Sequence, residues 1–194
     1  TGTSGIATSI GHAPQAALVN SAAGSVLSIS EALTNIVGAP LADGLKSVSL
    51  SANWMWPCRN EGEDTALYSA VKACSDFACA LGINIPTGKD SLSMTQKYGD
   101  KKVIAPGTVI ISAAGEVSDV KKVVSPVVQN KKSSLLYVPF SKSALSLGGS
   151  AFAQSLNALG NDVPQIESAE YFKTVFNTVQ KLVNKSWLLA AHDV

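Results

Sequence analysis

The chain has 194 residues, of which 46% are hydrophobic and only 15% charged, where a globular domain ordinarily carries roughly 25% charged residues. Fifteen Lys and Arg against 14 Asp and Glu leave a net charge of +1, so there is no field to gather nucleic acid or anionic lipid. Mean hydropathy is +0.20, yet no stretch approaches the roughly 20 apolar residues of a spanning helix, and the apolar surplus is expected to be buried in protein. The absence of a starting Met and the abrupt end at Ala190 to Val194 add the expectation of a piece of a larger protein, or of large subunit contacts.

The opening TGTSGIATSIGHAP, rich in Gly, Ser and Thr, reads as a loop, with order beginning near Gln15. Ala22, Val26, Ile29, Leu33 and Ile36 recur every three or four places and predict an amphipathic helix over 22–37, stopped by Gly38 and Pro40. Residues 46–52 alternate, with Val48, Leu50 and Ala52 on one side, as in a strand. A helix is expected over 64–81, with Leu67, Ala70, Val71, Cys74, Phe77, Ala78 and Leu81 inward and Gly82 ending it. Residues 83–86 then lead into a turn, Gly88-Lys89-Asp90-Ser91, before a strand through Leu92 and Met94 and a hairpin turning at 98–102. The β-branched run 106–117 predicts a buried strand, and 119–124 one helical turn. Residues 125–134 shift to Pro, Lys and Ser, as at a domain boundary. A strand over 135–140, helices over 149–159 and 169–185, and a strand over 187–191 complete an expected α+β chain in which helices 22–37 and 64–81 cover one face of a sheet.

Three cysteines, Cys58, Cys74 and Cys79, form no CxxC pair, and with only two histidines, His12 and His192, to help them a structural zinc site is not expected. Reduced thiols in a cytoplasmic compartment are expected, with Cys74 a small buried hydrophobe and none of the three a nucleophile. Glu31 and Asn35 stand four apart and project from one helix face, offering a carboxylate and an amide oxygen that suit a hard cation such as Mg2+. Solvent-facing residues of an amphipathic helix are the ordinary alternative. Gly88, Lys89, Asp90 and Ser91 put a cation, an acid and a hydroxyl where a phosphate or polar substrate can be received, or they form a plain turn; the glycine spacing of a P-loop is absent. Gly148-Gly149-Ser150 offers backbone N–H groups to an anion, or a Ser cap to a helix. His192 and Asp193 follow an expected strand, a common position for site residues in an α/β arrangement.

Taken in order, SISEALTNI (28–36), LSANWMWP (50–57), GEDTALYSAVKA (62–73), IPTGKDSLSM (85–94), LGGSAFAQ (147–154) and LLAAHD (188–193) resemble the large, single-chain phosphoribosylformylglycinamidine synthases of purine biosynthesis. The resemblance implies an internal fragment of such an enzyme: residues 1–125 as most of an AIR-synthetase-like (PurM-like) A domain with its sheet covered by helices, 126–134 as linker, and 135–194 as the start of a B domain. It implies a carbon–nitrogen ligase that uses ATP and glutamine to convert formylglycinamide ribonucleotide into formylglycinamidine ribonucleotide. Phosphorylating the amide oxygen makes it a good leaving group, which ammonia then displaces.

Also by the resemblance, Glu31, Asn35 and Asp193 match ligands of a nucleotide-bound Mg2+, with a further Asp ligand expected before Thr1. Gly88, Lys89, Asp90 and Ser91 are candidate substrate or phosphate contacts. No residue of this chain is expected to be catalytic by itself, the glutaminase part is absent, and the nucleotide site is expected to be an auxiliary one holding ADP. The remaining domains of the polypeptide are the expected partners, and the lone fragment, with an open sheet face, is expected to homodimerise.

Overall fold

The opening Gly/Ser/Thr-rich stretch is not a loop. In the computed structural model, which describes residues 2–194, Gly5–His12 form strand β1. The composition hid a period of two: Ile6, Thr8 and Ile10 are exposed on one side, and Ala7, Ser9 and Gly11 are small enough to lie beneath a helix on the other. Pro14 then starts a short helix, α1 (Pro14–Val19). Asn20 starts the next, α2 (Ser21–Ile36), its side chain accepting the Ala23 N–H at 3.0 Å. The inward face of α2 carries Ile29, Ala32, Leu33 and Ile36 together with buried Ser25 and Ser28.

A 3-10 turn (Gly44–Ser47) takes the first two residues of the expected strand, so β2 runs Val48–Met55, with Val48, Leu50 and Ala52 buried as the alternation predicts. Helix α3 (Glu63–Leu81) buries Ala70, Cys74, Phe77, Ala78 and Leu81; Val71, expected inward, is 42% exposed. Gly82 follows at φ +76, and its N–H returns to Cys79 O at 3.0 Å, the left-handed stop that the sequence suggests. Strand β3 (Asn84–Ser91) contains the whole Gly88–Ser91 segment, which is therefore strand and not turn. The hairpin is β4 (Thr95–Tyr98) and β5 (Lys101–Ile104), followed by β6 (Thr108–Val117). In β6 only alternate residues are buried, Val109, Ile111, Ala113 and Val117 among them, because only one face of the sheet is covered.

The main sheet has the order β1-β6-β2-β3. β6 is antiparallel to both neighbours, and β3 is parallel to β2. This is an α+β fold with a mixed sheet covered on one face by helices. A 3-10 turn at Val120–Lys122 replaces the longer helical turn expected over 119–124. Helix α4 is only Ala151–Ser155, shorter than the sequence suggests, and α5 spans Ala169–Asn184. The apolar stripe of α5, Phe172, Phe176, Val179 and Val183, joins the same core as α2, α3, β2 and β6. Phe172 meets Phe77 edge-on, with ring centroids 5.6 Å apart.

Neither 135–140 nor 187–191 is a strand here. Both have strand-forming composition, but a strand exists only with a ladder partner, and Leu135, Leu136 and Tyr137 stand exposed without one. Among the described residues no helix is long and apolar enough to cross a membrane.

Candidate functional site

The site grows from the seam between β1 and α2. β1 is an edge strand, so half of its backbone groups have no strand to bond, and two side chains of α2 reach them. Glu31 accepts the His12 N–H through Oε2 at 2.7 Å, and Asn35 donates from Nδ2 to Ile10 O at 3.1 Å. The four-residue spacing read from the sequence thus places both side chains at one edge, two residues apart along β1. Glu31 is half-buried and Asn35 exposed. One carboxylate oxygen and the amide oxygen remain for other partners, a donor set that fits a hard divalent cation.

Asp193 does not join them through any hydrogen bond or ion pair. Its side chain lies beside His192, whose Nδ1 is 3.4 Å from Oδ1 and also contacts the Asp193 backbone oxygen. The tail carrying it runs beside the 125–129 segment, with Ala191 N–H donating to Ser125 O at 3.2 Å and Gln129 Nε2 to Leu189 O at 3.0 Å. Among the described residues no group of three or more His, Cys, Asp or Glu gathers as a metal cluster.

Gly88, Lys89, Asp90 and Ser91 pair in parallel with Ala52, Asn53, Trp54 and Met55 of β2. Gly88 is needed for that pairing, since a Cβ would lie 2.2 Å from Ala52 O. The exposed Lys89 donates from Nζ to Ser91 Oγ at 2.9 Å, so the cation and the hydroxyl face the same side. That side is the open face of the sheet. The register sets His12, Ile110, Asn53 and Lys89 in one cross-strand row, and Ile10, Ser112, Ser51 and Thr87 in the next. A shallow depression of about 630 Å³ lies on this face over Thr8, Ile10, Ser49, Ser51, Thr87 and Ser112.

Sequence reasoning missed Asn53, whose Oδ1 is buried without a hydrogen-bond partner. Its signal was the register, which exists only once strands far apart in the chain are paired. Of the two readings of Gly148-Gly149-Ser150, the structure shows the helix cap. All three N–H groups donate within the protein, to Asp162 O, Leu159 O and Leu147 O, and Ser150 caps α4 by accepting the Ala153 N–H at 3.1 Å. Two of the three thiols have raised pKa values. Burial pushes Cys74 up to about 11, and burial, with Asp64 and Glu63 adding to it, raises Cys58.

Residues 1–116 match the family model of the FGAR-AT PurM_N-like domain. Among solved structures, T. maritima PurL complexed with FGAR superposes with a TM-score of 0.69 at 11% identity, over 98% of this chain and 29% of that one. PurLQS from Thermotoga maritima gives 0.59 at 12% identity, over 98% and 27%, and T. maritima PurL complexed with AMPPCP gives 0.56 at 13%, over 98% and 27%. At these identities the likeness is one of fold, and the chain spans less than a third of the length of each of these structures.

Proposed function

This chain belongs to the FGAR-AT PurM_N-like domain family, and from that membership we propose that it is part of a large phosphoribosylformylglycinamidine synthase. Such an enzyme is a cytoplasmic carbon–nitrogen ligase of purine biosynthesis, which amidates formylglycinamide ribonucleotide at the expense of ATP and glutamine. The six sequence segments support the reading, as do the PurL structures of like fold, whose names carry FGAR and AMPPCP. On this reading residues 1–125 are most of an A domain, 126–134 a linker and 135–194 the opening of a B domain. The open sheet face is where a sibling domain, or in isolation a second copy, packs.

The chemistry asked of this chain is to hold a Mg2+–nucleotide. Mg2+ neutralises phosphate charge when bound. Glu31 and Asn35 would supply the oxygens that their bonds to β1 leave available, Asp193 would complete the set once its tail moves from the 125–129 segment, and Gly88, Lys89, Asp90 and Ser91 would contact phosphate or substrate from the β3 edge. The observation that carries the reading is the fixed Glu31–Asn35 pair on the β1 edge. It also favours a second reading: a pair that fastens a helix to an edge strand stabilises the fold, and a nucleotide held there as ADP is auxiliary and not turned over.

Calorimetry with Mg–ADP on the full-length enzyme, with and without Glu31→Ala, tests both. Loss of ADP with loss of turnover and little change in stability supports the catalytic site. Loss of ADP and stability with unchanged kinetics supports the auxiliary one, and unchanged ADP binding rejects both. The 194-residue chain alone is expected to form no amidine from formylglycinamide ribonucleotide, ATP and ammonia.

A further inference from the structure

Four consecutive residues of β1 touch α2, each in its own way. Ser9 donates its hydroxyl to Ala32 O at 2.6 Å, a bond from a strand side chain to a helix backbone. Gly11 brings backbone against backbone: a Cβ there would lie 2.1 Å from Ser28 O and 2.3 Å from Ala32 N, so no side chain fits. Ile10 O and the His12 N–H take Asn35 Nδ2 and Glu31 Oε2. Those two bonds also decide which atoms the pair has left. Tying the Asn35 nitrogen to a carbonyl presents its oxygen, and tying one Glu31 oxygen to an N–H presents the other. Hydrogen bonds made behind a metal ligand orient it, and their loss typically lowers metal affinity by roughly 10- to 100-fold.

We infer that Ser9 and Gly11 are positioning residues for a divalent cation held by Glu31 and Asn35. Neither ligates. They set the spacing of α2 against β1, and that spacing lets the Ile10 and His12 backbone groups aim the two side chains. A helix pushed away by about 1 Å breaks a 2.7 Å hydrogen bond. The inference rests on the cation reading proposed above and adds to it what fixes the geometry.

The test is titration of Mn2+–ADP into the full-length enzyme, followed by electron paramagnetic resonance of free Mn2+. Hydrogen-exchange protection of the His12 amide, measured without metal, is a second readout that needs no cation. Wild type is expected to take up Mn2+–ADP and Glu31→Gln to lose it. Ser9→Ala and Gly11→Ala are expected to weaken uptake about tenfold or more and to lose His12 protection, while Ser9→Thr, which keeps the hydroxyl, stays near wild type. If Ser9→Ala and Gly11→Ala bind within about twofold of wild type while Glu31→Gln does not bind, the positioning role is overturned and the cation site stands. Should wild type take up no Mn2+–ADP, or Glu31→Gln bind as well as wild type, the cation reading itself falls and takes the positioning role with it. If Gly11→Ala does not fold, the Ser9 pair of variants decides.

Discussion

Gln180 on α5 holds the backbone of Leu41 across 139 residues of sequence, its Oε1 accepting the Leu41 N–H at 3.0 Å. The same buried amide donates from Nε2 to Val37 O at 2.7 Å and to Ala39 O at 2.8 Å. It thereby satisfies the turn leaving α2, while Lys173 of the same helix donates to Leu81 O at the end of α3 at 3.2 Å. Helix α5 thus serves the ends of two other helices, which otherwise leave carbonyls unmet.

Gln180→Ala leaves those buried backbone groups of 37–41 without partners and is expected to cost about 2–4 kcal/mol, several times the effect of an exposed polar substitution. Urea denaturation of the chain measures it. Gln180→Leu, which restores volume but no hydrogen bond, is expected to recover less than half of the loss, whereas full recovery would show packing and not bonding to be decisive.

Gly88→Ala drives a methyl group into Ala52 O and is expected to part β3 from β2 locally. Amide exchange along 87–91 and 52–56 should quicken, while the β1–β6 ladder on the other side of the sheet keeps its protection. Unchanged protection at 87–91 would mean that the edge strand absorbs the shift.

The raised Cys74 pKa fixes the sign of a pH effect. The folded state favours the neutral thiol, so its contribution is fully present below the unfolded pKa of 9.0 and is lost as pH climbs towards about 11. Stability is expected to fall by about 2 kcal/mol over that range. Cys74→Ala should flatten this part of the curve, as denaturation midpoints from pH 8 to 11 will show. Iodoacetamide at pH 8 should modify exposed Cys79 long before Cys74.

Asn60 tethers the β4–β5 hairpin: it donates from Nδ2 to Thr95 Oγ1 at 3.0 Å and to Pro57 O at 2.7 Å, and it accepts from Lys102 Nζ. Asn60→Ala is expected to loosen 95–104 in hydrogen exchange while lowering global stability by no more than about 1 kcal/mol, because a two-stranded ribbon at the surface contributes little to the core. A global loss above that would place the hairpin within the cooperative unit.

What the sequence disclosed follows from the range of the interactions that fix each element. Helices α2 and α3 are set by local periodicity and by stops such as Gly82, and both are legible at nearly their true bounds. β1 is not, because its Ala7, Ser9 and Gly11 are selected by the helix that lies across them, a contact that composition alone does not reveal. The 135–140 and 187–191 runs fail in the opposite sense: propensity is present and the partner strand is not. Of the site, the Glu31–Asn35 spacing was readable and its tie to β1 was not. Lys89 was singled out, but its row with Asn53 and His12 depends on strand order.

The pairing of Gly5 with Val117 and the covering of Ala16 by Val163 bear on how the chain is made. A ribosome adding roughly 5–20 residues per second finishes β1 many seconds before β6 appears, and exposes α1 for longer still. During that interval α2, complete by residue 36, can lie on the small-residue face of β1, but the strand has no ladder partner. Pairing of β1 therefore waits on a strand about a hundred residues further along the chain, and until then its backbone edge is open to wrong partners.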